Sequence, residues 1–120
     1  MKFLVIRFSS IGDIVLTTPV VRCLKKQVPD AEVHFLTKQS YRGIVDTNPY
    51  IDKVHVLADS FELMLHELQT EEYDYIIDLH HNLRTLRIKR FLKKVKAFSF
   101  NKLNVEKFIL TNLKINLLPG

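Results

Sequence analysis

Short runs of branched and aromatic residues recur along this 120-residue chain, and the segments between them carry apolar residues at helical spacing. Residues 2–7 (KFLVIR), 32–36 (EVHFL), 54–57 (VHVL), 75–79 (YIIDL) and 95–98 (VKAF) predict strands. Leu63, Leu65, Leu68 and their neighbours predict a helix after Ser60, whose hydroxyl is placed to cap it. Leu83, Leu86, Ile88 and Leu92 predict a basic amphipathic helix after Asn82. In the first gap, Thr18-Pro19 reads as an N-cap followed by proline at the first helical position, where the missing N–H costs nothing, so residues 9–17 read as a loop or tight first turn. Strands separated by helices predict an α/β fold, a mainly parallel sheet of about five strands with right-handed crossovers and helices on both faces. Leu4, Ile6, Val33, Phe35, Val54, Val56, Ile76 and Ile77 are the expected core.

Composition narrows the class. A hydrophobic content of 47%, broken by only 3 glycines and 4 prolines, excludes disordered, collagen-like and low-complexity character, and the length suits one domain. The single cysteine, Cys23, cannot form an intrachain disulfide, which fits a reducing, cytoplasmic setting. No apolar run approaches the roughly 20 residues of a spanning helix, and none suits a signal peptide. The formal charge of +5 is unevenly placed: residues 1–78 carry 8 Lys/Arg against 12 Asp/Glu, whereas residues 79–120 carry 10 against 1. A basic patch of this kind suits phosphates, acidic sugars, anionic lipid or nucleic acid, or serves only as a solvated face.

The stretch RFSSIGDIV, residues 7–15, closes the first strand run and opens the next segment. The carboxyl end of a strand is where open α/β sheets bind ligands. Gly12 is the only glycine there, so the three-glycine dinucleotide fingerprint is absent, as is a Walker lysine. Ser9 and Ser10 with nearby backbone N–H groups could cradle an anion, but Asp13 in the same loop would repel one. Asp13 therefore reads either as a base facing a hydroxyl or as a helix cap contributing about 1 kcal/mol. The pair His80-His81 invites a metal reading, yet adjacent strand residues point to opposite faces and no ligand stands at zinc-site spacing, so no metal is expected there. His34, His55 and His66 read as packed or solvated.

Three strings in order, RFSSIGDIVLTTPVVRCLKKQVPDAEVHFLTKQ, NPYIDKVHVL and YDYIIDLHHNLRT, resemble the N-terminal half of bacterial heptosyltransferases, glycosyltransferase family 9, from Met1 to about Lys102. The resemblance implies a GT-B architecture, with residues 1–120 as the Rossmann-like acceptor-side domain and the donor domain absent from this chain. It implies inverting transfer of heptose from ADP-heptose to the acidic inner core of lipopolysaccharide, with Asp13 as general base. Ser9, Ser10 and Gly12 would line the cleft, and residues 78–84 would form a second loop over the acceptor, contributing His80, Asn82 and Arg84. Arg84 suits an acidic sugar because a guanidinium grips a carboxylate or phosphate bidentately. His81 stands where relatives often show a small residue. ADP-heptose would be held mainly by the absent domain, no cofactor is implied, and the chain alone should not turn over. Arg87, Lys89, Arg90, Lys93 and Lys94 would hold the protein peripherally at an anionic inner leaflet. The alternative is a non-catalytic module for acidic glycans or anionic lipid surfaces. Nucleic acid is not expected, since the chain lacks an aromatic stacking motif.

Overall fold

The structure is a computed structural model that describes residues 1–8, 11–28, 30–57, 60–80, 82–92 and 95–99, the last two by backbone alone. Ser9, Ser10, His81, Lys93 and Lys94, all singled out above, lie outside the described residues.

The elements alternate as β1 (Lys2–Ile6), α1 (Ile11–Gln27), β2 (Glu32–Lys38), a 3₁₀ turn (Gln39–Tyr41), α2 (Arg42–Asp46), β3 (Lys53–Leu57), α3 (Phe61–Thr70), β4 (Tyr75–Asp78), α4 (Leu83–Phe91) and β5 (Lys96–Ser99). All four strand pairs are parallel, in the order β3-β2-β1-β4-β5. β1 is central, with Leu4 facing His34 on one side and Ile76 on the other. Its residues alternate between two cores. Phe3 and Val5 join Val33 and Phe35 under Ile14, Val20 and Val21 of α1, while Leu4 and Ile6 join Leu36 and Ile76 under Met64, Leu65 and Leu68 of α3 and Ile88 of α4. Helices thus cover both faces, which is why the inner strands read as continuous apolar runs. None of the described helices is long and apolar enough to cross a membrane.

Five of the eight expected core residues are buried: Leu4, Ile6, Val33, Phe35 and Ile76. Val54, Val56 and Ile77 are only half-buried. The first two sit on β3, an edge strand with one uncovered flank. Ser60 caps α3 as expected, its hydroxyl accepting from the Leu63 N–H at 3.3 Å. Of the expected inward stripes, Leu65, Leu68, Ile88 and Leu92 are buried, whereas Leu63, Leu83 and Leu86 are exposed and Thr85 joins Ile88 on the inner face of α4.

The largest departure is in α1. It starts at Ile11, so residues 11–17 are helical and Pro19 lies inside the helix. Proline cannot donate to the carbonyl four residues earlier. That carbonyl belongs to Val15, and the Thr18 hydroxyl donates to it at 2.8 Å. Thr18 therefore repairs a helix interior rather than starting a helix, and Gly12 and Asp13 fall in the first helical turn.

α3 ends on Glu71 as its C-cap, and the next residue, Glu72, has φ 56°. Left-handed backbone costs a residue with a Cβ roughly 1–2 kcal/mol, part of which glycine regains. We expect Glu72→Gly to stabilise the fold by up to about 1 kcal/mol, read as a higher urea midpoint at unchanged slope. A lower midpoint would show that the Glu72 side chain contributes more than its backbone costs.

Candidate functional site

The chain leaves β1 through α1 toward β2, while β4 lies on the other flank of β1. In open α/β sheets such a reversal, here at the carboxyl ends of β1 and β4, is the usual place for a ligand crevice. Around it stand Arg7 and Phe8 after β1, Gly12 and Asp13 in α1, Leu79 and His80 after β4, and Asn82 and Arg84 at the start of α4.

Arg7 joins these pieces. Its backbone N–H extends the β1–β2 ladder to the Leu36 carbonyl at 3.1 Å. Its guanidinium reaches across the crevice, Nη1 donating to the Leu79 carbonyl at 2.6 Å and Nη2 lying 2.9 Å from Asp13 Oδ2. Both side chains are largely shielded, at 17% and 22% exposure. Asp13 is the third residue of α1, past the N-cap position, and its charge suits the positive end of the helix. Ion pairing with Arg7 and placement in the first turn of α1 are its described interactions. A methyl group added at Gly12 would meet no described atom within 4 Å. Ile11, Val15 and Leu16 are exposed on the same first turns.

The second loop is built on a buried carboxylate. Asp78 is fully buried at the end of β4; its Oδ1 accepts from the His80 N–H at 3.0 Å and its Oδ2 lies 3.0 Å from Lys89 Nζ. A buried charge needs such a partner. The turn it pins sets His80 beside Phe8, whose N–H donates to His80 Nδ1 at 3.4 Å, with the rings 4.9 Å apart. Burial, then the Arg7 guanidinium, push the His80 imidazole below its ordinary value. Its ring is therefore neutral near pH 7, and acceptance at Nδ1 assigns the proton to Nε2 as a donor. Asn82 caps α4: its Oδ1 accepts from the Thr85 N–H at 3.0 Å, and Thr85 Oγ1 accepts in return from the Asn82 N–H at 2.9 Å. The cap uses one lone pair of the side-chain oxygen of Asn82, a residue expected to bind acceptor. Arg84, in the first turn of α4, is exposed.

Two of the basic side chains of α4 make ion pairs. Lys89 turns inward to Asp78, while Arg87 holds Glu62 at 2.8 Å and lies 4.5 Å from the Phe61 ring centre. Of the five cations expected at a membrane, Lys89 is thus engaged inward, Arg87 is paired at the surface, and Arg87 and Arg90 are both exposed. Gly12, Asp13, His80, Asn82 and Arg84 do share one edge of the sheet. Sequence reasoning missed Arg7, which it read only as the end of a strand, and the Asp78–Lys89 pair. The available signal for Arg7 was its position as the first polar side chain beyond the central strand.

No family model matches the sequence. Over 98% of its length the chain is similar to lipopolysaccharide heptosyltransferase 1 of Campylobacter coli, with 28% identity across 127 residues, covering 36% of that protein. Among solved structures, it is similar to a glycosyl transferase family 9 protein from Veillonella parvula DSM 2008, with TM-score 0.71 and 22% identity over 89% of this chain and 34% of that one. It is similar as well to Escherichia coli ADP-heptose LPS heptosyltransferase II, with TM-score 0.74 and 20% identity over 82% of this chain and 30% of that one. The expected resemblance to heptosyltransferases is borne out in sequence and in fold, and the chain spans about a third of the Campylobacter relative's length.

Two measurements test the site's construction. Removing one partner of a buried ion pair strands the other, so Lys89→Gln should destabilise the fold by on the order of 3 kcal/mol in urea unfolding; a loss near zero would place Lys89 at the surface. For His80, the folded value is lowered, so the unfolded chain takes up the proton first as pH falls. The fold should lose stability on acidification below about 6.5, and the NMR titration midpoint of His80 should lie below that value. A midpoint at or above it would contradict the half-buried, neutral ring.

Proposed function

We propose that this chain is the acceptor-side half of an inverting glycosyltransferase of the heptosyltransferase type, with Asp13 as its general base. The observation that carries the reading is the Arg7–Asp13 pair at the crevice, which presents a carboxylate at the ligand-binding edge and anchors it to both flanking loops. In the reaction, the acceptor oxygen attacks the anomeric carbon of ADP-heptose, its proton passes to the Asp13 carboxylate, and the bond to the ADP phosphate oxygen breaks on the opposite face. The hydroxyl becomes strongly acidic only as its new bond forms, so a carboxylate suffices as base. ADP leaves as a stable anion, so no acid partner is required of this half.

Arg7 is a positioning residue in this scheme, fixing the Asp13 rotamer. The bare backbone at Gly12 leaves room for a ligand, and His80 offers a neutral donor from Nε2. Arg84 is the proposed contact for an acidic group on the lipopolysaccharide core acceptor. A cation in the first turn of a helix opposes the helix dipole, so its place is not explained by the stability of α4. The exposed Ile11, Val15 and Leu16 suit contact with a donor domain that holds most of ADP-heptose. A lipid-linked acceptor would place the enzyme peripherally at the cytoplasmic face of the inner membrane. The inward engagement of Lys89 with Asp78 weighs against a module that works by its basic surface alone.

In the two-domain enzyme, Asp13→Asn should lower kcat by about a hundredfold or more, with folding intact by circular dichroism. Arg84→Gln should instead raise KM for the acceptor with kcat little changed. Full turnover by Asp13→Asn at saturating acceptor would reduce Asp13 to an ion-pair partner.

A further inference from the structure

At the opposite, amino-terminal edge of the sheet lies a second polar cluster that the proposed transfer does not use. His34 on β2 and His55 on β3 are both buried, under 9% exposed, on the face covered by α3. In the β2–β3 register His34 faces Lys53 and Leu36 faces His55, so the two imidazoles lie diagonally on one face of the sheet. Glu71, the C-cap of α3, and Tyr73, just before β4, close over them.

The atoms converge on one point. His34 Nδ1 is 3.2 Å from His55 Nε2 and 3.0 Å from Glu71 Oε2, and His55 Nε2 is 3.9 Å from the same oxygen. Tyr73 Oη lies 2.7 Å and 3.0 Å from the two nitrogens. Zinc bound tetrahedrally at about 2.0–2.1 Å sets its ligand atoms about 3.3 Å apart, a separation that these three distances bracket. The far nitrogen of His34 is 2.6 Å from Glu32 Oε2. That contact puts a proton on Nε2 and turns the Nδ1 lone pair inward, the outer carboxylate contact that metal-bound histidines ordinarily make. With Nε2 so committed, the Nδ1 lone pair and Glu71 Oε2 face each other at 3.0 Å, a contact that either a cation or a second ring proton on His34 makes attractive.

We propose that His34, His55 and Glu71 form a structural site for a zinc-class divalent cation, joining β2 and β3 to the connection between α3 and β4. The neighbouring lysines select among cations. Lys53 Nζ lies 3.2 Å from Glu71 Oε1, and Lys2 Nζ donates to the Glu71 carbonyl at 2.8 Å. They hold the residue with Oε2 facing the histidines, and they offset the carboxylate charge on which magnesium or calcium depends. Two imidazole nitrogens favour zinc instead. Glu71, with a 19% exposed side chain, and Glu32, at 46%, mark the solvent side from which an ion enters.

The competing arrangement is a doubly protonated His34 held between Glu32 and Glu71. The full 120-residue chain, stripped with chelator, should be titrated with zinc chloride and separately with magnesium chloride, by calorimetry and thermal unfolding. The site requires about one equivalent of zinc and a thermal midpoint raised by zinc but not by magnesium. Glu32→Gln, at a half-exposed position, should weaken zinc binding about tenfold or more. His55→Gln should abolish binding, whereas His66→Gln should retain it. X-ray absorption of the zinc-loaded wild type should show imidazole nitrogens at about 2.0 Å, a readout that stands even where His55→Gln does not fold. The proposal is overturned by a folded wild type that binds no zinc, by absorption without imidazole scattering, or by a folded His55→Gln that binds as the wild type does.

Discussion

β1 is covered on both flanks and both faces, and the crevice chemistry follows from that burial. Its ladder with β2 and β4 commits the backbone, and Phe3, Leu4, Val5 and Ile6 each enter one of the two cores. From Phe3 to Ile6 a charged side chain has no place, because an unpaired charge in such surroundings is prohibitively costly. Arg7 is the first residue free of that constraint. Its backbone still belongs to the sheet while its guanidinium reaches both the β4 exit and the first turn of α1. The position of Asp13 is thus set by the strand that precedes it as much as by its own helix.

The strands were legible because burial on both faces forces continuous apolar runs at β1, β2 and β4, and the parallel order followed from their alternation with helices. The start of α1 was not. A threonine before a proline looks the same whether it caps a helix or satisfies the carbonyl that an interior proline leaves open, and only the Thr18 bond to Val15 separates the two. In α4 the inward stripe runs through Thr85, whose hydroxyl is satisfied by Asn82, so a count of leucines pointed to Leu83 and Leu86 instead. Asp13 stood out because a carboxylate in a loop otherwise suited to an anion would repel one. Arg7 did not, because a polar residue ending an apolar run is ordinary punctuation.

The buried histidines mark another limit of linear reading. EVHFL and VHVL are each good strand strings, and a histidine in either is consistent with simple packing. What distinguishes His34 and His55 is their diagonal register across β2 and β3, together with Glu71 and Tyr73 arriving from the far end of α3. Tertiary pairing produces that juxtaposition, and no local spacing encodes it. Burial pushes His55 down to about 4 and raises Tyr73, so the cluster holds an uncharged ring and a protonated phenol at neutral pH.

The excess of positive charge after residue 78 is also explained in part by the interior. Asp78 is buried where the second loop turns, so the fold requires a cation nearby, and Lys89 on α4 supplies it. Arg87 covers Phe61 and meets Glu62, joining α4 to α3. Removing these two from the tally leaves Arg84 and Arg90 as the other exposed described arginines of α4, at its opposite ends. The helix dipole favours Arg90 in the last turn and disfavours Arg84 in the first. Of the two, Arg84 is the cation whose position helix stability does not account for, and it stands at the same edge as Asp13. Charge that appears as one basic stripe in the sequence therefore divides into a structural part, which holds the loop and the helix pair, and a part at the crevice suited to an acidic ligand.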